Sequence, residues 1–122
     1  MFAEVKDSLP ISGDDYDAQI ILQIKAAVLD LTTSAEIVLP GNVNITRTLE
    51  VATTSEPEHW VITDNSTLKD PLAITAISVW CNMRIGNPPN YDQLREAYEA
   101  LKGQMRLSKK YTRYEGADEV CG

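Results

Sequence analysis

The strongest hydrophobic pattern lies between residues 70 and 112, and it predicts two helices separated by a short break. Asp70 is placed to cap the first helix, and Pro71 suits its first position, where a missing N–H costs nothing. The following residues are apolar almost all round as far as Ile85, which is typical of a helix buried on every side. Gly86 favours a left-handed stop, and the Asn-Pro-Pro sequence after it forbids continuation.

A second helix is predicted after Asn90, which is placed to cap it. Its apolar residues are three and four apart and form one stripe, with charge on the opposite face: Tyr91, Leu94, Tyr98, Leu101 and Met105. The two helices together predict a helical hairpin at the centre of the core. The residues expected to form that core are Leu72, Ile77, Trp80, Leu94, Tyr98 and Leu101.

Two more helices are predicted at the start of the chain. Residues 1–9 can form a short helix that stops at Pro10. The next helix opens at residues 12–15, where Ser12 or Asp14 is placed to cap it and acidic side chains complement the positive helix end. Its apolar residues again lie on one helical stripe: Ile20, Ile24, Ala27, Val28 and Leu31.

The pattern changes between Thr32 and Lys69. Apolar and polar residues alternate from Val43 to Val51, which predicts a strand, and His59–Thr63 is the expected returning strand. Pro40-Gly41 marks a turn. An isolated two-stranded hairpin is marginal in water, so this β-type insertion, at about residues 36–66, needs support from the helices or from another copy of the chain.

Candidate partner-contact residues lie in two places. Trp60 and Arg47 belong to the insertion, although a tryptophan there equally suits the protein's own core. The second group begins the last segment, which is basic at first and acidic at its end: Lys109, Lys110, Tyr111, Arg113 and Tyr114. Such residues either bind a partner or are simply solvated.

The whole pattern predicts a mainly α fold. We expect a single helical domain of four or so helices over residues 1–112, with a β-hairpin or long loop inserted and a flexible tail over residues 113–122. No apolar run has the length of a membrane span, and the first residues lack the form of a signal peptide. The chain is therefore expected to be intracellular when made and to have no membrane partner.

The charge is unevenly distributed and argues against nucleic-acid binding. The net charge is −7 at pH 7. Residues 1–70 hold 12 acidic and 4 basic side chains, whereas residues 71–122 hold 6 acidic and 7 basic ones. An acidic protein repels phosphate at long range. The charge either serves solubility alone or keeps DNA from adhering to the surface.

No motif typical of catalysis or metal binding is present. His59 is the only histidine, and no nucleophile motif surrounds it. Cys81 and Cys121 lack the spacing of a zinc site, and Cys81 is expected to be a buried, inert thiol. The acidic run Asp14–Asp17 lacks the glycine and distal glutamate of a calcium loop. We therefore expect no enzyme, cofactor or metal.

Several short motifs follow one another along the second half of the chain. In order they are Asp70-Pro71-Leu72, Gly86-Asn87-Pro88, then Tyr91, Leu94 and Tyr98, and finally Leu107-Ser108 and Tyr111-Thr112. This order resembles the small head–tail connector (adaptor) proteins of long-tailed bacteriophages. Val5–Leu9 and the acidic start at Asp14–Asp17 are also similar to the opening of that family. The region Glu36–Lys69 departs most, because family members often have a short loop there.

The resemblance implies a structural protein of a phage or prophage virion. Such proteins form a cyclic ring, generally a dodecamer, beneath the portal protein. DNA passes through the ring without sequence-specific binding, and the stopper or tail-completion protein assembles on it. The implied location is the head–tail interface of the virion, and the host cytoplasm during assembly. The isolated chain is expected to be either a ring or a monomer that waits for the portal.

A different hypothesis remains open at this point. The chain also suits a soluble helical interaction module or small regulator that binds a partner helix in a groove and has no part in virion assembly. A ring subunit needs exposed faces on two sides of the fold, whereas a groove binder needs one.

Overall fold

The computed structural model describes residues 1–11, 13–51, 58–86 and 88–111, with the backbone alone for Lys109. Within this part of the chain there are four α-helices and one two-stranded antiparallel sheet, in the order α1 Phe2–Asp7, α2 Asp17–Leu29, β1 Ile45–Glu50, β2 His59–Asp64, α3 Pro71–Arg84 and α4 Tyr91–Leu107. A π-helical turn, Asp30–Ser34, extends α2, and a 3-10 turn, Lys109–Tyr111, follows α4. The prediction of a mainly α fold with a β-hairpin is confirmed.

Helix α3 is central, because it contacts α1, α2 and α4. It begins as predicted: the Asp70 side chain accepts a hydrogen bond from the N–H of Ala73 at 3.0 Å, and Pro71 occupies the first helical position. It ends at Arg84, and Gly86 has a φ of 81°. A residue without a β-carbon adopts that left-handed conformation without steric cost.

The predicted core residues divide into two groups. Ile77 and Tyr98 are buried. The other four are only half-buried and pack against the core from its edge: Leu72, Trp80, Leu94 and Leu101. The expectation that α3 is buried on every side is wrong, since Pro71 and Thr75, one turn apart on the same side of the helix, are exposed. The helices packed around α3 leave this side open to solvent. Arg84, the last residue of the helix, is exposed as well.

Helix α2 starts later than the sequence pattern predicts. The N-cap position is Tyr16, with no side-chain cap, because Asp14 lies in a preceding turn in which its carbonyl accepts the N–H of Asp17 at 3.3 Å. Ser12, the other predicted cap, lies outside the described residues. The predicted apolar stripe is confirmed: Ile20, Ile24, Ala27 and Leu31 are buried, and Val28 is half-buried. Asn90 occupies the N-cap position of α4, but its side chain makes no cap hydrogen bond.

The π-helical turn connects α2 to α4. Its first residue, Asp30, accepts hydrogen bonds from the Tyr98 hydroxyl at 2.6 Å and from the Lys102 ammonium at 3.3 Å. Burial opposes the charged form of Asp30, but these two donors outweigh it and hold the pKa of the carboxyl below its ordinary value. The π-helical turn thus places the Asp30 carboxylate within hydrogen-bonding distance of two side chains of α4.

The hairpin is supported at its base, as its marginal intrinsic stability requires. Below the paired strands, the backbone of Asn42 accepts the N–H groups of Thr67 and Leu68 at 2.9 and 3.0 Å, and Asn44 accepts that of Asn65 at 2.8 Å. At the end of β2, the Asp64 carboxylate accepts the Phe2 N–H at 2.7 Å. The base is therefore attached to α1 and to the segment that leads into α3.

Candidate functional site

One face of the hairpin is buried at its base and exposes apolar side chains towards its free end. Ile45 is 1% exposed, Leu49 is 44% exposed and Val51 is 75% exposed. Since alternate residues share a face, this rise in exposure follows one side of β1 away from the core. Trp60, which is 52% exposed, pairs directly with Leu49 across the sheet. We call Leu49, Val51 and Trp60 the arm.

Arg47 and Trp60, the two partner-contact candidates in the insertion, lie together. The Arg47 guanidinium carbon is 3.8 Å from the centre of the Trp60 ring, a cation–π contact that holds the indole in place. The Arg47 Nε is buried and has no hydrogen-bond partner. On the other face of the sheet, Glu50 and His59 approach within 3.6 Å. The arm thus presents a fixed, half-exposed indole among charged side chains.

A cleft of about 710 Å³ lies between the hairpin and the start of the helices. Its walls carry both signs of charge, from Lys6, Asp14, Asp15, Asp17 and Arg47, beside Phe2, His59, Trp60 and Ile62. Lys6 is 2.8 Å from an Asp17 carboxylate oxygen and 3.4 Å from Asp14, so these charges largely pair with one another. No group of residues suited to a metal ion occurs in the part of the chain that the structure describes.

Helix α2 carries a second exposed apolar surface, opposite the stripe that it buries. Leu22 and Leu29 are each 63% exposed. They are seven residues apart, two helical turns, and therefore lie on the same side of α2. Lys25, which is exposed, and Ala26, which is half-buried, lie between them. We call these four residues the α2 face.

Asp70 forms the centre of a clamp on the end of the described chain. It is buried and accepts hydrogen bonds from Tyr111 and Lys110 in addition to that of Ala73. The backbone carbonyl of Tyr111 also accepts the N–H of Val38 at 2.8 Å. The 3-10 turn is therefore joined both to the start of α3 and to the segment after α2.

The clamp changes the ionisation of its members. Burial disfavours the Asp70 carboxylate, but the hydrogen bonds from Lys110, Tyr111 and Ala73 outweigh it and lower the pKa of Asp70. Burial together with the hydrogen bond to Asp70 raises the pKa of Tyr111 to about 12. The ion pair and the neutral phenol therefore coexist at neutral pH.

The clamp gives Tyr111, one of the predicted partner-contact residues, a place inside the domain. Tyr111 is buried and bound to Asp70. Lys110 is half-exposed, but its ammonium pairs with the same carboxylate. The remaining candidates in this segment lie outside what the structure describes: the Lys109 side chain, Arg113 and Tyr114. Cys81 is buried, and burial raises the pKa of its thiol to about 12, so at neutral pH it is not a thiolate.

The α2 face was not anticipated from the sequence. The predicted stripe from Ile20 to Leu31 is only the buried side of the helix. The signal that would have revealed the second surface is the pair Leu22 and Leu29, which share a side of the helix opposite the core. The alternation in β1 likewise predicted a strand, but it did not reveal that Leu49 and Val51 lie beyond the core.

Compared with protein-family models, curated proteins and solved structures, the chain matches none of them. Among the described residues, no helix has the length and apolar character needed to cross a membrane.

Proposed function

We propose that this protein is a head–tail adaptor of a phage or prophage, a ring subunit that assembles beneath the portal and carries the stopper or tail-completion protein. The observation that supports this most strongly is the presence of two exposed apolar surfaces on different elements. The arm lies on the hairpin, and the α2 face lies on the outer side of α2. The order of motifs from Asp70 to Thr112 supplies the link to the adaptor family.

Two unlike surfaces are what a ring requires. A head-to-tail contact uses one surface of a subunit and a different surface of the next, and it closes into a ring when the rotation closes. A groove binder for a partner helix needs a single apolar surface. Exposed apolar residues grouped on two separate elements therefore favour ring assembly over the groove-binding alternative.

The charge supports passage of DNA without retention. The net charge of −7 opposes adhesion of a polyanion to the walls of a channel. Arg47, one of the four basic side chains in residues 1–70, has its guanidinium stacked on Trp60. In this proposal the ring guides the duplex but does not bind it.

The last segment is proposed to contact the portal. The chain leaves the clamp at Tyr111, and the basic and aromatic residues Arg113 and Tyr114 follow directly. Their attachment point is fixed relative to α3, so a contact made by them would be transmitted to the folded domain. The dodecameric ring and the stopper or tail partner come from the family resemblance and are part of the same proposal.

The test is a binding assay with the portal protein of the same phage or prophage. The informative truncation ends at Tyr111, because removing Tyr111 itself would strip the buried Asp70 of a donor and destabilise the domain. We expect the full chain to bind the portal and the truncated chain to bind at least about tenfold more weakly, with the same denaturation midpoint. A full-length Arg113→Ser/Tyr114→Ser variant should match the truncation, and Glu96→Gln on α4 should bind normally.

The possible results separate the parts of this proposal. Unchanged binding by the truncated chain would remove the portal role of the last segment and leave the adaptor role intact. Failure of the full chain to bind the portal, under conditions in which the portal is assembled, would contradict the adaptor role itself.

A further inference from the structure

We infer that the arm of one subunit docks on the α2 face of the next, with Trp60 seated over Ala26 between Leu22 and Leu29. This inference rests on the proposed ring, and it identifies which two surfaces form the contact between neighbouring copies. The occupant of each surface is a second copy of this chain. Three features support this contact: the shape of the α2 face, the charges on the two surfaces, and the orientation of the α2 face away from the hairpin of the same chain.

The α2 face has the shape of a shallow depression. Leu22 and Leu29 are about 10.5 Å apart along the helix axis, at 1.5 Å per residue. The small side chain of Ala26 lies between these two larger ones. An indole is a large, rigid apolar group that loses little conformational freedom when it is buried, which is why tryptophan so often anchors an interface. Trp60 is already held in place by Arg47 before any partner arrives.

One charged residue of each surface is complementary to one of the other. Lys25 is exposed within the α2 face and is one of four basic side chains in residues 1–70. The free end of the hairpin carries Glu50 and Glu58, both exposed. Continuing the strand register by one pair places Glu58 opposite Val51, on the side of the sheet that bears Trp60. Docking therefore brings an acidic side chain towards Lys25, and such pairing favours the correct orientation.

A chain cannot make this contact with its own arm. The base of the hairpin lies on the core side of α2, where β1 contacts this helix and Ile45 is buried. Leu22 is about 200° around the helix from Ile20 and from Ile24, because each residue advances 100°. The α2 face therefore points away from the arm of the same chain, and a second copy must supply the indole.

Pairing of two arms with each other is the less suitable arrangement. Such a contact uses the same surface on both copies, and it ends at a dimer. It would also leave the α2 face uncovered and would bring the acidic ends of two hairpins together. Docking of the arm on the α2 face covers both apolar surfaces. The same contact can then be repeated between successive copies around a ring.

Cross-linking between two chains that each carry one introduced cysteine tests the contact without requiring a stable ring. Both chains carry Cys121→Ser, and Cys81 remains because it is buried and is not a thiolate at neutral pH. One chain carries Glu58→Cys and the other Lys25→Cys, and the mixture is treated with a short bis-maleimide. The experiment is run on the free protein at high concentration and again with portal present.

We expect a covalent heterodimer from the mixture and none from either chain alone. Adding Trp60→Ser to the Glu58→Cys chain should reduce the yield roughly tenfold or more, as loss of an interface anchor does. The matched control replaces Lys25→Cys by Glu96→Cys, an exposed position on α4, and should give no heterodimer.

Two results would overturn the inference. One is cross-linking of the Glu58→Cys chain to itself, which would indicate contact between arms. The other is absence of the heterodimer in the portal-bound assembly, which would leave the adaptor role standing while assigning the ring contact to other surfaces. Failure of portal binding in the same experiment would instead count against the proposed function.

Discussion

The carboxylate of Asp70 shows how much one residue does beyond what its local sequence predicts. The Asp-Pro pair correctly predicted a capped helix start. It did not predict that Lys110 and Tyr111, some forty residues later, bind the same carboxylate. Capping is decided by neighbouring residues and can be read from the sequence, whereas the second set of donors depends on how α4 returns across α3. The burial of Tyr111 was therefore not foreseen.

Replacing Tyr111 by phenylalanine tests the clamp. The change keeps the ring and removes the hydroxyl that donates to buried Asp70. We expect the free energy of unfolding to fall by about 1–3 kcal/mol, the range for a buried acceptor that loses a partner. Urea denaturation measures this. Tyr91→Phe, at an exposed position on α4, should stay within about 0.5 kcal/mol of the original chain. Equal effects of the two substitutions would contradict the clamp.

The lowered pKa of Asp70 also predicts a pH dependence. A carboxyl whose pKa is lower in the folded state than in the unfolded state contributes stability above its unfolded pKa, about 4, and loses that contribution as the pH falls. Asp30 and Asp64 are shifted in the same direction. We expect the free energy of unfolding to decline between about pH 5 and pH 2. The decline should be shallower in Asp70→Asn. An identical slope in the two proteins would show that Asp70 is not linked to folding.

At the scale of elements, most helices and both strands follow from local patterns. The spacing of apolar residues from Ile20 to Leu31 is that of a helix, and the alternation around β1 is that of a strand. Each can be recognised without reference to the rest of the chain. Helix starts were less predictable. At α2 the acidic residues formed a separate turn, and the helix began at Asp17. Exposure on the outer sides of α2 and the hairpin depends on where the core ends, and no local period contains that information.

The base of the hairpin makes a prediction about one glycine. Gly41 has a φ of 148°, and a β-carbon there would lie 2.6 Å from the Leu68 α-carbon. Gly41→Ala must therefore move backbone, and we expect a loss of about 1–3 kcal/mol in the free energy of unfolding. Gly103, within α4, has open space at the corresponding position, and Gly103→Ala should stabilise by about 0.5–1 kcal/mol. Thermal and urea denaturation of the two variants give the comparison. An unchanged free energy of unfolding in Gly41→Ala would mean that Gly41 does not approach the Leu68 backbone as closely as described.

At the scale of the whole molecule, the fold class was predictable and the interaction surfaces only partly so. Trp60 and Arg47 were identified as candidates because they belong to a hairpin that needs support from the helices or from another copy of the chain. Leu22 and Leu29 were missed, although their spacing places them on the side of α2 opposite the predicted stripe. The assembled fold shows that this side faces outward. The function proposed for the chain depends on the residues that face outward.

The most direct test of the adaptor proposal is the mass of the particle that this protein forms with its portal. Light scattering over a concentration series gives the mass of the free chain and of the complex, and electron microscopy of the complex shows its shape. We expect many copies of this chain in a ring with a central hole beneath the portal, whether the free chain is a ring or a monomer. A chain that stays monomeric alone and with assembled portal would contradict the proposal.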